Sequence, residues 1–272
     1  MKKRILLMVS VLLLLLAGAR AEACTTVIVS GQFTRDGKAV MFKQRDSNCQ
    51  DVAVAYFQGE KYRMMGLVNA DWKTNPVARV PAGTPEVWAG MNEKGFAIMN
   101  TATYDLKDDD IPAEQMDCEG VLMYRALEIC ENLSDFEHYL DTLSRPLRVE
   151  ANFGVIDEKG GAAYYEVNNS RWVKFDVNTD PLGYRVVTNF TLTGRPEDRR
   201  GVDRYRKAHR ILARTDVPPC DWDHKFFIRE LSCSGAPILR DITSSAVTFE
   251  KDTMWVSLGK PNIVPCLPYR LD

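Results

Sequence analysis

Cys24 is the residue in this chain best placed to do chemistry. It follows Ala21-Glu22-Ala23 and opens the run Cys24-Thr25-Thr26-Val27-Ile28-Val29. A cut after Ala23 puts a thiol and a free α-amine on the same residue. A thiol with a pKa near 8.5 is only partly ionised at neutral pH, and an α-amine with a pKa of about 7.7 to 8.0 is partly unprotonated there. The amine can take the thiol proton, directly or through a water, and later return it to a leaving amine. N-terminal threonine hydroxyls are activated by the same pairing. Such a site is a nucleophile with its own base attached and needs no histidine.

The residues before Cys24 have the three parts of an export signal. Lys2, Lys3 and Arg4 are a positive start, residues 5–16 are almost uninterrupted apolar sequence, and Ala21-x-Ala23 supplies small residues at −3 and −1. The apolar run falls short of the roughly 20 residues of a membrane span. The expected organisation is therefore a signal peptide over residues 1–23 and a single catalytic domain over 24–272, exported to a periplasm or secreted. A cysteine at this junction also suits a lipoprotein, whose thiol carries a diacylglycerol. Ala21 at −3 and Glu22 at −2 fit that pattern poorly. The two fates exclude each other, because lipidation turns the thiol into a thioether.

Composition narrows the class. The apolar fraction is 45% and the formal net charge −2, so the chain reads as an ordinary globular protein without the basic footprint of a nucleic-acid binder. No further apolar stretch approaches membrane-spanning length, so no stable membrane span is expected after signal removal. Nothing in the composition excludes a homo-oligomer. The seven cysteines are residues 24, 49, 118, 130, 220, 233 and 266. Setting Cys24 aside leaves an even number, which in an oxidising compartment allows up to three disulfides with no pairing selected. Cys130 lies on an apolar helical stripe and also reads as a buried thiol. No CxxC pair occurs and the three histidines, His138, His209 and His224, are scattered, so no metal site and no cofactor is expected. No papain-type signature surrounds Cys24, and each histidine reads as structural or surface.

The elements that must position Cys24 are β-rich at both ends with helices between. Residues 25–30 read as a strand, Arg35-Asp36-Gly37-Lys38 as a turn, and 39–43 as its hairpin partner. Residues 52–57 continue the pattern. Residues 87–89 and 96–100 flank a turn at Asn92-Glu93-Lys94-Gly95, with glycine available for positive φ. Val121, Leu122, Arg125, Ala126, Ile129, Cys130 and Leu133 have helical spacing. Ser134-Asp135-Phe136-Glu137 reads as a capping box opening a short helix. Strands follow at 153–156, 162–167, 172–176 and 184–188, then a basic helix at 201–214 and strands at 246–249 and 254–258. This order suggests stacked sheets with helices outside.

At these residues the chain resembles the cysteine N-terminal-nucleophile hydrolases that cleave linear amide C–N bonds. These include choloylglycine (bile salt) hydrolases, penicillin V acylases, acid-ceramidase-like amidases and penicillin acyltransferase relatives. The likeness rests on Cys24-Thr25-Thr26 before a strand, the Asp36-Gly37 turn, Lys43-Gln44-Arg45-Asp46-Ser47, the run from Trp88 to Gly95, Val187-Thr188-Asn189 and Asp203-Arg204-Tyr205.

The resemblance implies an α+β fold: a four-layer αββα sandwich of two stacked, mostly antiparallel sheets with outer helices. The nucleophile sits at the tip of the first strand. It implies that Asp46 holds the N-terminal amine or thiol, that Asn189 serves the oxyanion, and that Arg204 supports the site electrostatically. Asn100 is the candidate second oxyanion donor, with Thr101 and Ala102 competing for the place. Lys43 stands where bile salt hydrolases carry arginine and lacks its bidentate fork; Arg45 is a second cation beside Asp46. Taken alone, Lys43-Gln44-Arg45-Asp46 reads as an edge strand with paired surface charges. Arg204 alone reads as one charge among Arg199, Arg200, Arg206 and Arg210, and Asn189-Phe190-Thr191 alone as a glycosylation sequon. The implied substrate is a small-molecule N-acyl or peptide-like amide; Lys43 and the short chain point away from conjugated bile acids.

Overall fold

The computed structural model describes residues 23–73, 84–233 and 240–271. The expected signal segment, apart from Ala23, lies outside them. Strands β1 (Thr25–Val29) and β2 (Val40–Asp46) begin the chain, followed by β3 (Val52–Gln58), β4 (Arg63–Asn69), β5 (Ala89–Asn92) and β6 (Ala97–Ala102). Helices α1 (Glu119–Ile129) and α2 (Leu133–Thr142) come next, then β7 (Ala151–Ile156), β8 (Ala162–Val167), β9 (Trp172–Asp176) and β10 (Tyr184–Val187). Helices α3 (Val202–Leu212) and α4 (His224–Phe227) precede β11 (Thr243–Glu250), β12 (Thr253–Ser257) and β13 (Leu267–Tyr269).

Two antiparallel sheets result. The first runs β10-β1-β2-β11-β12-β13, and the second is a seven-stranded meander from β3 to β9. Three apolar clusters mark the interfaces between four layers. Ile28, Met41, Val247 and Phe249 of the first sheet meet Met65, Leu67, Met99 and Tyr164 of the second. The outer face of the second sheet packs Ile98, Phe153 and Tyr165 on Leu122, Leu127 and Phe136 of α1 and α2. The outer face of the first packs Val27, Phe42 and Val186 on Ala208, Leu212 and Phe227 of α3 and α4. Period-two alternation along β1 and β2 sends successive side chains to these two interfaces. The expected αββα sandwich is the observed one.

Local chemistry explains the element ends. Asn92 Oδ1 accepts from the backbone N–H of Lys94 and Phe96, at 3.1 and 3.2 Å. Its Nδ2 donates to the carbonyls of Leu127 and Cys130 at the end of α1. Gly95 completes the turn at φ 77°, a conformation that costs glycine little.

The capping box expected at Ser134 is corrected. Asn132 caps α2, its side chain accepting from Asp135 N at 3.1 Å. Glu137 turns instead to the Tyr165 hydroxyl and the Lys174 ammonium. The set of three disulfides is not formed: Cys49, Cys130, Cys220 and Cys266 are free thiols. Burial pushes the Cys130 thiol up to about 12, the inert buried cysteine its place on the α1 stripe suggests. Among the described residues no helix is long and apolar enough to cross a membrane.

Candidate active site

The site begins where β1 begins. β1 lies between β10 and β2, with Thr26 opposite both Val187 and Lys43. Cys24, one residue before β1, is 2% exposed. Ala23 prolongs the ladder by donating its N–H to Asp46 O at 3.1 Å. The chain runs unbroken through Ala23, so the Cys24 nitrogen is an amide here.

Arg204 joins the candidate residues. Its Nη1 donates to the Cys24 carbonyl and, at 3.0 Å, to Thr25 Oγ1. Its Nη2 donates to Asn189 Oδ1 at 2.6 Å. Burial lowers the Arg204 pKa, while Asp46 and Cys24 act in the opposite sense. A guanidinium remains charged under such conditions. Its neighbours Arg200, Arg206 and Arg210 are exposed, so Arg204 is set apart by direction: α3 turns it inward with Ala208 and Leu212. Gly201 makes that turn possible. It caps α3 at φ 76°, and a Cβ there would lie 2.4 Å from Arg204 Nη2.

Asn189 follows β10 and is buried. Its oxygen is held by Arg204 and its Nδ2 donates to Ala102 O at 2.7 Å. These two contacts fix which way the amide faces and leave the second N–H as the one that can serve a developing oxyanion. The sequon reading does not suit an amide nitrogen enclosed in this way.

β2 is an interior strand with every residue buried, which overturns the edge-strand reading of its charges. Lys43 Nζ reaches the second sheet, donating to Trp88 O at 2.7 Å and Asn100 Oδ1 at 2.9 Å. Asn100 is therefore held by its oxygen, its N–H2 facing away from the ammonium. Thr101 Oγ1 donates to Thr188 O at 2.7 Å, so its hydroxyl proton is committed to the backbone. Arg45 is not beside Asp46 in space. Adjacent strand residues face opposite ways, and Arg45 bonds Asn69 and Ser244 with its guanidinium 5.0 Å from the Trp88 ring.

Asp46 Oδ1 accepts from Thr243 Oγ1 at 2.6 Å, across the register pair that β2 makes with β11. Asp46 Oδ2 is buried and accepts no hydrogen bond from the described residues. Burial raises its pKa to about 6, opposed by the Thr243 hydroxyl, Arg204, Arg240 and Gln44. Thr243 is a site residue that sequence reasoning missed; the Thr-Ser-Ser start of β11 carries no chemical signature. The histidines are engaged elsewhere: His138 is exposed on α2, His209 packs on Tyr205, and His224 stacks on Trp255 and bonds Glu250.

The layer order is an αββα sandwich with a cysteine at the mouth of the first strand. Solved structures share it. An N-acylethanolamine-hydrolyzing acid amidase ortholog from Caenorhabditis elegans superposes with a TM-score of 0.59 at 16% identity, over 92% of this chain and 100% of the other. A variant conjugated bile acid hydrolase from Clostridium perfringens gives 0.53 at 13% identity, over 92% and 97%. Penicillin V acylase from Agrobacterium tumefaciens gives 0.54 at 13% identity, over 86% and 82%. No family model and no curated protein matches the chain by sequence, so the likeness is one of fold.

Proposed function

We propose that the chain is an exported amidohydrolase that cleaves linear amide C–N bonds, with Cys24 as the mature N-terminal nucleophile and its own α-amine as base. It acts on small N-acyl or peptide-like amides and uses no metal or cofactor. The observation that carries this reading is the convergence of three distant segments on Cys24. Arg204 bonds both the Cys24 carbonyl and Asn189, while the Asp46 backbone carbonyl accepts from Ala23 N–H and one Asp46 carboxylate oxygen is served by none of the described residues.

The mechanism follows from those contacts. Cutting the Ala23–Cys24 bond creates an amine beside Asp46, and its ammonium form is the donor that Asp46 Oδ2 lacks. The neutral amine takes the Cys24 thiol proton as sulfur attacks the amide carbonyl. The second Asn189 N–H stabilises the oxyanion, assisted by a donor from the Asn100–Ala102 segment. The α-ammonium gives its proton to the leaving amine, the C–N bond breaks, and a thioester remains on Cys24. Water, deprotonated by the α-amine, attacks the thioester and releases the acid and the thiol. An amine entering in place of water makes the same site an acyltransferase. Burial of Cys24 favours this reading over a lipid-anchored binding protein, because a residue 2% exposed leaves no room for a diacylglyceryl group on its side chain.

N-terminal mass analysis of the exported protein tests the reading. A free Cys24 is expected; a diacylglyceryl adduct rules it out.

The Asp46 carboxylate gives a second prediction, in stability. A carboxyl raised to about 6 from its ordinary value near 4 binds more protons folded than unfolded between those values. Stability must therefore fall as pH rises from about 4 to about 6, by on the order of 3 kcal/mol. In the chain that begins at Cys24, the nearby ammonium lowers the Asp46 pKa and removes most of the fall. Urea unfolding midpoints from pH 4 to 7, for chains with and without Ala23, measure the difference. Asp46→Asn should remove the difference between the two profiles in this window.

A further inference from the structure

The polar groups between the two sheets include one the mechanism above does not use. Asn152, on β7 of the second sheet, is 2% exposed. Its Nδ2 donates to Phe190 O at 3.0 Å, and to Thr188 O and Thr101 Oγ1 at 3.2 Å. Thr101, on the neighbouring β6, donates its own hydroxyl to Thr188 O at 2.7 Å. The carbonyls on both sides of Asn189 are thus bonded from the second sheet. Thr188 Oγ1 in turn donates to Gly201 O at 3.1 Å, the cap of the helix that carries Arg204.

We propose that Asn152 is a positioning residue for Asn189, setting the direction of its oxyanion-binding N–H from the opposite sheet; this rests on the role proposed for Asn189. The requirement for it is physical. Asn189 lies past the end of β10, whose ladder with β1 runs from Tyr184 to Val187, so sheet hydrogen bonds no longer fix its backbone. An oxyanion donor must lie about 3 Å from the reacting oxygen, and a displacement of about 1 Å at a catalytic group costs on the order of 10²-fold. Asn152 and Thr101 supply from across the sandwich the restraint that the strand no longer gives. An amide suits the place because it is a pure donor toward two carbonyls and a hydroxyl oxygen.

The test uses Asn152→Asp and Asn152→Leu in the chain beginning at Cys24. The probes are aminocoumarin amides of phenoxyacetic, lauric and palmitic acids. At pH 8 the carboxylate of the Asp variant faces two carbonyl oxygens and repels them. Its kcat should fall about 30- to 100-fold with KM changed less than about threefold. A carboxyl in that setting has a raised pKa, and once protonated it donates again. The kcat of the Asp variant relative to wild type should therefore recover at least about tenfold between pH 8 and pH 5. The Leu variant should show a similar loss at every pH.

Hydrogen–deuterium exchange over residues 186–192 gives a readout independent of substrate. Exchange should be faster in the Asp variant at pH 8 and return toward wild type at pH 5, after correction for intrinsic pH dependence. The inference is overturned if the Asp variant stays within threefold of wild type at all pH values with unchanged exchange. It is equally overturned if its loss is independent of pH and tracks the urea midpoint. Asn152→Ser, which keeps one donor, should fall between wild type and Leu and covers the case in which the Asp variant does not fold. Cys24→Ala separates the two levels of the account. Turnover surviving in that variant defeats the proposed function, whereas a dead Cys24→Ala beside an unaltered Asn152→Asp defeats the positioning role alone.

Discussion

Replacing Cys24 with alanine is expected to lower amide turnover by at least about 10⁴-fold while leaving the fold intact. In the proposed mechanism the thiol forms the acyl intermediate, and two described side chains of the site are poor substitutes for it: Asp46 is bound to Thr243 and Arg204 is a cation. The structural cost is small, because one sulfur is removed from a buried position and the contacts of the Cys24 carbonyl with Arg204 and of Ala23 with Asp46 are made by backbone. A stability loss of about 1 kcal/mol is the expected scale. Cys24→Ser should recover little. A hydroxyl is far less acidic than a thiol, so the α-amine leaves it un-ionised, and about 10² to 10³ of the loss should remain. Kinetics on the aminocoumarin amides and a urea unfolding curve for each variant check both halves.

Asn189 should show the second-largest effect, and two substitutions separate its contact with Arg204 from its proposed oxyanion role. Asn189→Leu removes both the acceptor for Arg204 and the N–H donors. Turnover should fall about 10²- to 10³-fold, the scale of one lost oxyanion donor. Stability should also fall by about 1 to 3 kcal/mol, because the buried Arg204 Nη2 loses its partner. Asn189→Asp keeps an oxygen for Arg204 but places a second oxygen against Ala102 O, where Asn189 donates at 2.7 Å. This variant should be as inactive as the Leu variant yet hold Arg204 in place. If Asn189 served only to anchor Arg204, the Asp variant would keep most of its activity. Comparing kcat and the unfolding midpoint across the pair decides between the roles.

The layered fold was legible because most of its strands announce themselves by β-branched residues and turn signals. β4 was not assigned. Met64-Met65-Gly66-Leu67-Val68 is buried on both faces, so it shows no alternation, and Gly66 argues against a strand interior. The start of α2 was misplaced for a different reason: Asn132 and Ser134 both have capping chemistry, and only the extended backbone at Asn132 decides between them. In the site, Cys24 was visible from its own junction. Asp46, Asn189 and Arg204 were named through family resemblance, not local pattern, since Arg204 sits among surface arginines and Asn189 sits in a sequon. Lys43 to Asp46 misled because a run of charges signals solvent, whereas here β2 carries them through the middle of a sheet to reach the site. Thr243 and Asn152 gave no signal at all. Cross-strand register and inter-sheet distance bring them to the site, and one sequence does not contain either.

The central claim is that the amine and the thiol of Cys24 act together. The most direct measurement compares amide turnover by two chains of identical fold, one beginning at Cys24 and one retaining Ala23 as its only extra residue. The thiol is present in both, and the amine is free in one and acylated in the other. The account predicts that the Ala23-bearing chain has less than about 1% of the activity of the chain beginning at Cys24, a loss on the scale of one general base. Equal turnover by the two chains would contradict it.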